Sequence, residues 1–227
     1  MKTKNFDKTA IPKVRKVTKG PIRDKERTMK RLVDAVGKVL TKKGYPGLTV
    51  TNIAYSAKVH PKIIYTYFGN VDKLIETYIK NKDYWQFVAK ADIEMLLKTE
   101  EPIVAKDLAS LIQNQFFSLL QDPEMRNVIL WEISVKSRLL RKIAEERGEM
   151  GERIFQRIEP FFENTTIDLR AILALLVGGS YYLAIHTKSN GSNFCGIDIN
   201  SEEGKLRIAN ALKQVVDFCY KYAKTVK

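Results

Sequence analysis

The chain has 227 residues, with 39 Lys and Arg against 26 Asp and Glu, a formal charge of +13 and an ordinary hydrophobic fraction of 44%, enough for a full core in one or two domains. The whole excess lies in residues 1–74, where 18 basic side chains face 5 acidic ones, while residues 75–227 balance at 21 each, the asymmetry expected when one part meets a polyanion and the rest does not. No unbroken apolar run reaches the roughly 18 residues of a membrane span, no apolar signal core follows the basic N-terminus, and Cys195 and Cys219 read as free thiols of a reducing compartment, so a cytoplasmic protein without a membrane partner is expected.

Residues 1–22 alternate lysine with small and polar residues and carry no helical period. They read as a flexible basic arm, either a solvated tail or an added contact to DNA. A helix begins at Asp24, with Met29, Val33, Val36 and Leu40 on one face. Lys42 and Lys43 suit its C-terminal end, Gly44 stops it and Tyr45-Pro46-Gly47 makes a turn. Thr49 caps a short second helix holding Ile53, Ala54 and Ala57. Lys58 and Val59 form a bend, and Pro61, tolerated in a first turn, opens a third helix over 61–67. Asn70 caps a long fourth helix running through Leu74 and Tyr78 past Trp85.

Further helices are expected near 103–121, 123–136, 138–159, 168–187 and 202–224, from mixed three- and four-residue apolar spacing. No strand is expected, and the Gly-, Asn- and Ser-rich stretch 189–200 reads as a loop. The fold class is therefore all-α: a helix-turn-helix unit over 23–69 and a larger helical unit over 70–227.

Two short helices joined by a tight bend and braced by a third form a helix-turn-helix, whose second helix can enter the major groove. Lys62, at its start, can reach bases or phosphates, and Tyr65 and Tyr67 can offer hydroxyls to phosphate oxygens. Thr49 opens a helix N-terminus, an anion site. The competing reading is that the tyrosines only pack against neighbouring helices. Ile53, Ala54, Ala57, Val59, Ile64 and Phe68 form the expected small core.

The run "LTVTNIAYSAKVHPKIIYTYFGNVDKL" resembles the DNA-binding signature of the tetracycline-repressor (TetR) family. Order, spacing and the preceding "KKGYPGLT" turn agree over about residues 25–75. Three positions depart from the family pattern. Lys58 stands at the bend glycine, where a left-handed backbone costs a side chain about 1 kcal/mol. His60 replaces a serine, and Val71 a phosphate-holding lysine, with Lys73 two positions on. The resemblance implies a regulator, most often a repressor, that contacts DNA through Thr49, Lys58, His60, Lys62, Tyr65, Tyr67 and Lys73. It also implies a homodimer on a palindromic operator, released by a small molecule held in the C-terminal part.

The residues support parts of this. Ile208, Leu212, Val215, Cys219 and Tyr222 form a heptad-like stripe suited to a partner helix. Leu175 and Gly179 lie on the preceding helix, whose "LALLVGGSYYLAI" run is apolar nearly all round; core within one chain is the competing reading for both helices. Trp85, Phe116, Phe117, Trp131, Phe155 and Tyr182 are candidates for the wall of a pocket for a hydrophobic or aromatic ligand, or plain core. No enzyme, metal or cofactor is expected. His60 and His186 are far apart, no Cys/His set has metal spacing, and "LVGGSYY" lacks the ending of a phosphate loop. The alternative function is a DNA-bound architectural or partner-recruiting protein without an inducer.

Overall fold

The structure, a computed structural model, describes residues 25–189, 191 and 193–226; the expected arm over 1–22 lies outside the described residues. Helix α1 (Lys25–Lys43) has Glu26 in its first turn and Lys42 and Lys43 in its last, each charge complementing the helix dipole. Its buried face is Leu32, Ala35, Val36, Val39 and Leu40, while Met29 and Val33 are only half-buried. This corrects the expected stripe. Two overlapping apolar series share α1, and packing against both α2 and α4 selects the one centred on Leu32 and Val36.

Helix α2 (Val50–Ala57) and helix α3 (Lys62–Phe68) follow, and α4 (Val71–Lys82) starts from Asn70, whose Oδ1 accepts from the Lys73 backbone N–H at 2.8 Å. The head core is Ile53, Ala54, Ala57 and Ile64, all buried, with Val59 and Phe68 packed on them half-buried. Burying each isoleucine contributes about 1.5–3 kcal/mol.

Helix α4 does not run past Trp85. It ends at Lys82, Asp83 turns extended at ψ 124°, and a π-turn over Tyr84–Val88 leads into α5 (Lys90–Lys98). Asp83 makes the break, because its Oδ1 accepts from the backbone N–H groups of Trp85 and Gln86, both at 3.0 Å, and so restarts the chain as an N-cap.

The body continues with α6 (Ala105–Gln121), α7 (Pro123–Ser134), α8 (Arg138–Phe162), α9 (Leu169–Ser189) and α10 (Glu202–Thr225). Helix α6 is central, with α9 and α10 both packed on it. The expected loop after α9 contains a small hairpin, β1 (Asn193–Phe194) against β2 (Ile197–Asp198), with Asn193 opposite Asp198. Its turn residues Cys195 and Gly196 sit at φ 52° and 75°, the doubly positive pattern of a tight hairpin turn.

Helices α9 and α10 both pack on α6 and run antiparallel, bonded to each other near both ends. At one end Thr166 is bonded to the Tyr222 hydroxyl at 3.4 Å; at the other the Lys188 ammonium donates to Asn200 at 2.5 Å. By length and apolarity α9 could cross a membrane, with mean hydropathy 1.4, contrary to the expectation that no segment would qualify. In the fold it packs on α6, α7 and α8 instead, yet only 22% of that apolar window is buried.

Candidate nucleic-acid interface and internal cavity

The head presents a continuous polar surface built from α2, the bend and α3. Thr49 caps α2, its Oγ1 accepting from the Asn52 N–H at 3.2 Å. Lys58 occupies the left-handed region at φ 54°, ψ 48°. The turn closes around it, with the Val59 N–H donating to Ala54 O at 3.0 Å. The guanidinium of Arg31, on α1, donates to Ala57 O at 2.5 Å and Lys58 O at 3.2 Å. It thereby satisfies carbonyls that the end of α2 leaves open. Replacing Lys58 by glycine should relieve the backbone strain and raise stability by about 1 kcal/mol; a urea midpoint at or below that of the parent would contradict this.

His60 caps α3 in place of a serine, its Nδ1 accepting from the Lys62 N–H at 3.2 Å. Lys62 and Tyr65 are exposed on α3, and Lys58, His60, Thr49 and Lys73 are exposed around it. Tyr67 is half-buried, with the Lys25 ammonium 5.8 Å above its ring, so it bridges the packing and contact readings. Tyr55, 86% exposed on α2, went unnoticed in the sequence, as did Arg31.

Two sets of contacts join head to body. Gly37 on α1 lies so close to α7 and α4 that an added Cβ would meet Glu124 Oε1 at 2.8 Å and Tyr78 Cε2 at 2.9 Å. Tyr45 stacks on Trp131 with ring centroids 6.0 Å apart. On the other side Lys80 bridges Glu146 at 2.7 Å and Lys142 bridges Glu76 at 2.8 Å, tying α4 to α8. Bonds from Lys142 and Lys80 hold Glu76 below the usual carboxylate range. Head and body are therefore joined through α1 and α7 as well as through α4.

The body holds a half-open cavity of about 430 Å³ among α6, α8, α9 and the π-turn. Its wall is apolar: Leu108, Leu111 and Ile112 from α6, Met150, Ile154 and Phe155 from α8, Leu173 and Val177 from α9. Trp85 and Tyr181 also line it, and its charged lining groups, among the described residues, are Arg147 and Arg170. The fully buried Asp83 accepts from Arg147 Nε at 2.9 Å and Nη2 at 2.6 Å, and Glu132 accepts from Nη1 at 3.2 Å. Burial pulls the Arg147 guanidinium down, and Asp83, Tyr181 and Glu132 raise it above its usual value. Burial also raises the Tyr181 phenol, against Arg147 and a bond to Trp85.

The π-turn is therefore a junction. Asp83 ends α4 and binds α8; the Tyr84 hydroxyl donates to Leu111 O on α6 at 2.9 Å; the Gln86 amide donates to Ile143 O at 3.3 Å; Trp85 faces the cavity.

The sequence matches no protein-family model and no curated protein. Solved structures do match. The transcriptional regulator FadR from Bacillus subtilis, determined in complex with stearoyl-CoA, superposes with a TM-score of 0.61 at 20% identity, over 82% of this chain and 96% of that one. The fatty acid degradation regulator FadR from Bacillus halodurans gives 0.58 at 18%, over 82% and 96%. A TetR family transcription regulator from Marinobacter aquaeolei VT8 gives 0.60 at 12%, over 85% and 97%. The chain has the TetR-regulator fold. The likeness spans nearly all of each of these chains, so in this TetR-type fold the second domain shares the architecture as well as the head.

Of the six aromatic residues expected in the pocket, Trp85 and Phe155 line the cavity. Phe116 is fully buried beside Phe117 in the core, Trp131 meets the head, and Tyr182 stacks on His186 and Phe194 outside the cavity, which corrects those four. In the expected dimer stripe Leu212 and Cys219 are buried within the protomer, on the side of α10 that packs on α6, and Ile208 and Val215 are half-buried. Leu175 (76%), Gly179 and Tyr222, also expected at the interface, are exposed, and Tyr182 and Gly178 on α9 and Leu206 and Phe218 (63%) on α10 are exposed with them.

Proposed function

We propose that the protein is a cytoplasmic, homodimeric transcriptional regulator, a repressor that leaves its operator when a small apolar molecule fills the cavity. The observation that carries this reading is one continuous body in which a basic helix-turn-helix with exposed Lys62 and Tyr65 stands on a helix whose end, Asp83, is bonded to a cavity-lining arginine. The cavity favours an effector-responsive regulator over an architectural DNA-bound protein, whose body would be filled. The long acyl chain in the complex of the Bacillus subtilis regulator supports an apolar ligand of this kind.

Contacts to DNA are proposed for Thr49, Lys58, His60, Lys62, Tyr65, Tyr67 and Lys73, to which exposure adds Tyr55. The dimer is proposed across the exposed faces of α9 and α10, because an apolar helix left mostly uncovered in one protomer needs a partner. Release then follows if the ligand-filled cavity moves the π-turn, and with it α4, changing the spacing of two recognition helices that must lie one turn of DNA apart.

Selection from a random duplex pool tests the reading. It should enrich an inverted repeat with half-sites one helical turn apart, or a multiple of it. Lys62→Ala should weaken that site by about 1–3 kcal/mol and relax base choice at one position per half-site. A pool that enriches nothing would contradict the regulator reading. Equal losses on operator and random DNA would make Lys62 a phosphate contact only.

A further inference from the structure

Every nitrogen of both cavity-lining arginines is already bonded to a carboxylate. Arg147 gives Nε to Asp83, Nη1 to Glu132 and Nη2 to both. Arg170 gives Nε to Glu159, Nη1 to Glu152 at 2.8 Å and Nη2 to the same carboxylate at 3.0 Å, with its guanidinium 4.3 Å from the centre of the Phe155 ring. Each positive charge thus faces two negative ones, and each cluster carries a formal surplus of one negative charge. No other charged side chain lines the cavity among the described residues, and its remaining polar groups are the Tyr181 phenol and the Trp85 indole.

We infer that the cavity selects an uncharged apolar molecule, such as an alcohol or ester with a long alkyl chain, and rejects the carboxylate of the same shape. An anion entering here finds every arginine nitrogen already engaged by a carboxylate and meets clusters of its own sign, of which the Arg147 cluster, its guanidinium 13% exposed, is poorly screened by solvent and the Arg170 cluster lies at the exposed rim. A neutral oxygen meets none of that repulsion and can accept from the Tyr181 hydroxyl. The apolar chain is accommodated by the α6 and α8 wall. This inference rests on the cavity being the effector site, and it specifies what that site accepts.

The test uses the full chain and two probes of equal length, decanol and decanoate, titrated by calorimetry. Decanol should bind about tenfold or more tightly than decanoate. Glu132→Gln, which removes one negative charge from the inner cluster and leaves its shape, should narrow that ratio by about tenfold. Glu152→Gln, at the exposed cluster where solvent screens the charge, should narrow the ratio by less, and the ratio of the parent alone stands as the test if Glu132→Gln does not fold. Gly148 lines the cavity at an exposed position with open space where a Cβ would lie, so Gly148→Phe adds a ring at the cavity wall and should weaken decanol binding by about tenfold or more. Decanoate binding as tightly as decanol would overturn the inference while leaving the cavity as the effector site. Binding of neither probe, or decanol binding untouched by Gly148→Phe, would overturn the effector site and the inference together.

Discussion

Asp83→Ala should lower unfolding stability by about 3–5 kcal/mol, the largest loss expected for any single side chain of the body. The carboxylate is fully buried and takes four hydrogen bonds, two from the backbone N–H groups of Trp85 and Gln86 and two from Arg147. Removing it uncaps the π-turn and leaves a guanidinium only 13% exposed with Glu132 as its remaining carboxylate partner. Arg147→Met should cost a similar amount from the opposite side, by stranding a buried carboxylate. The two losses should not add, because each removes the same pair. Urea midpoints of the two single variants and the double variant measure this. Losses below about 1 kcal/mol for both singles would mean that the pair is dispensable, and the link between α4 and the cavity would have to lie elsewhere.

Phe218→Glu should convert the dimer to a monomer and weaken operator binding by about 10²–10⁴-fold, the loss expected when two tethered heads become one. Phe218 is exposed on α10, one turn before the exposed Tyr222, and Leu175 is exposed on the antiparallel α9. A glutamate there would be desolvated against its own twin in a symmetric interface. Folding of the protomer should be unaffected, since Phe218 contributes little to its core. Leu212→Glu is a poorer probe, because Leu212 is buried inside the protomer and its replacement would disturb folding directly. Sedimentation at micromolar concentration decides the matter. A Phe218→Glu variant as dimeric as the parent would place the interface on another face.

The head was legible in the sequence because its local signals agree. Thr49 and Asn70 are N-caps, Pro61 opens α3, and Lys58 marks a tight turn by standing where glycine is expected. The α9 and α10 boundaries were equally plain from apolar spacing. What escaped was decided by long-range contacts. The break at Asp83 had a local cue, an acid following Lys80 and Lys82, but apolar spacing through Trp85 masked it. Nothing in the sequence pairs Asp83 with Arg147, which lies 64 residues away. The cavity wall was sought among aromatic side chains, whereas most of it is aliphatic, and Phe116 and Trp131 are spent on core and head contacts. The heptad stripe on α10 mixes two faces, because Leu212 and Cys219 are buried within the protomer while Tyr222 is exposed, and apolar spacing alone does not separate a side that packs on α6 from one left open.

The most direct test of the whole account is reciprocity between cavity and operator. The affinity of decanol for the full chain should be measured alone and with saturating operator duplex obtained by selection. The account predicts weaker decanol binding in the presence of the operator, by at least about fivefold, since a ligand that favours the released form must be disfavoured by the bound one. Clearing an operator from near-full to near-empty occupancy would require about 10⁴-fold. Equal affinities with and without operator would show that the cavity does not communicate with the head, and would contradict the account.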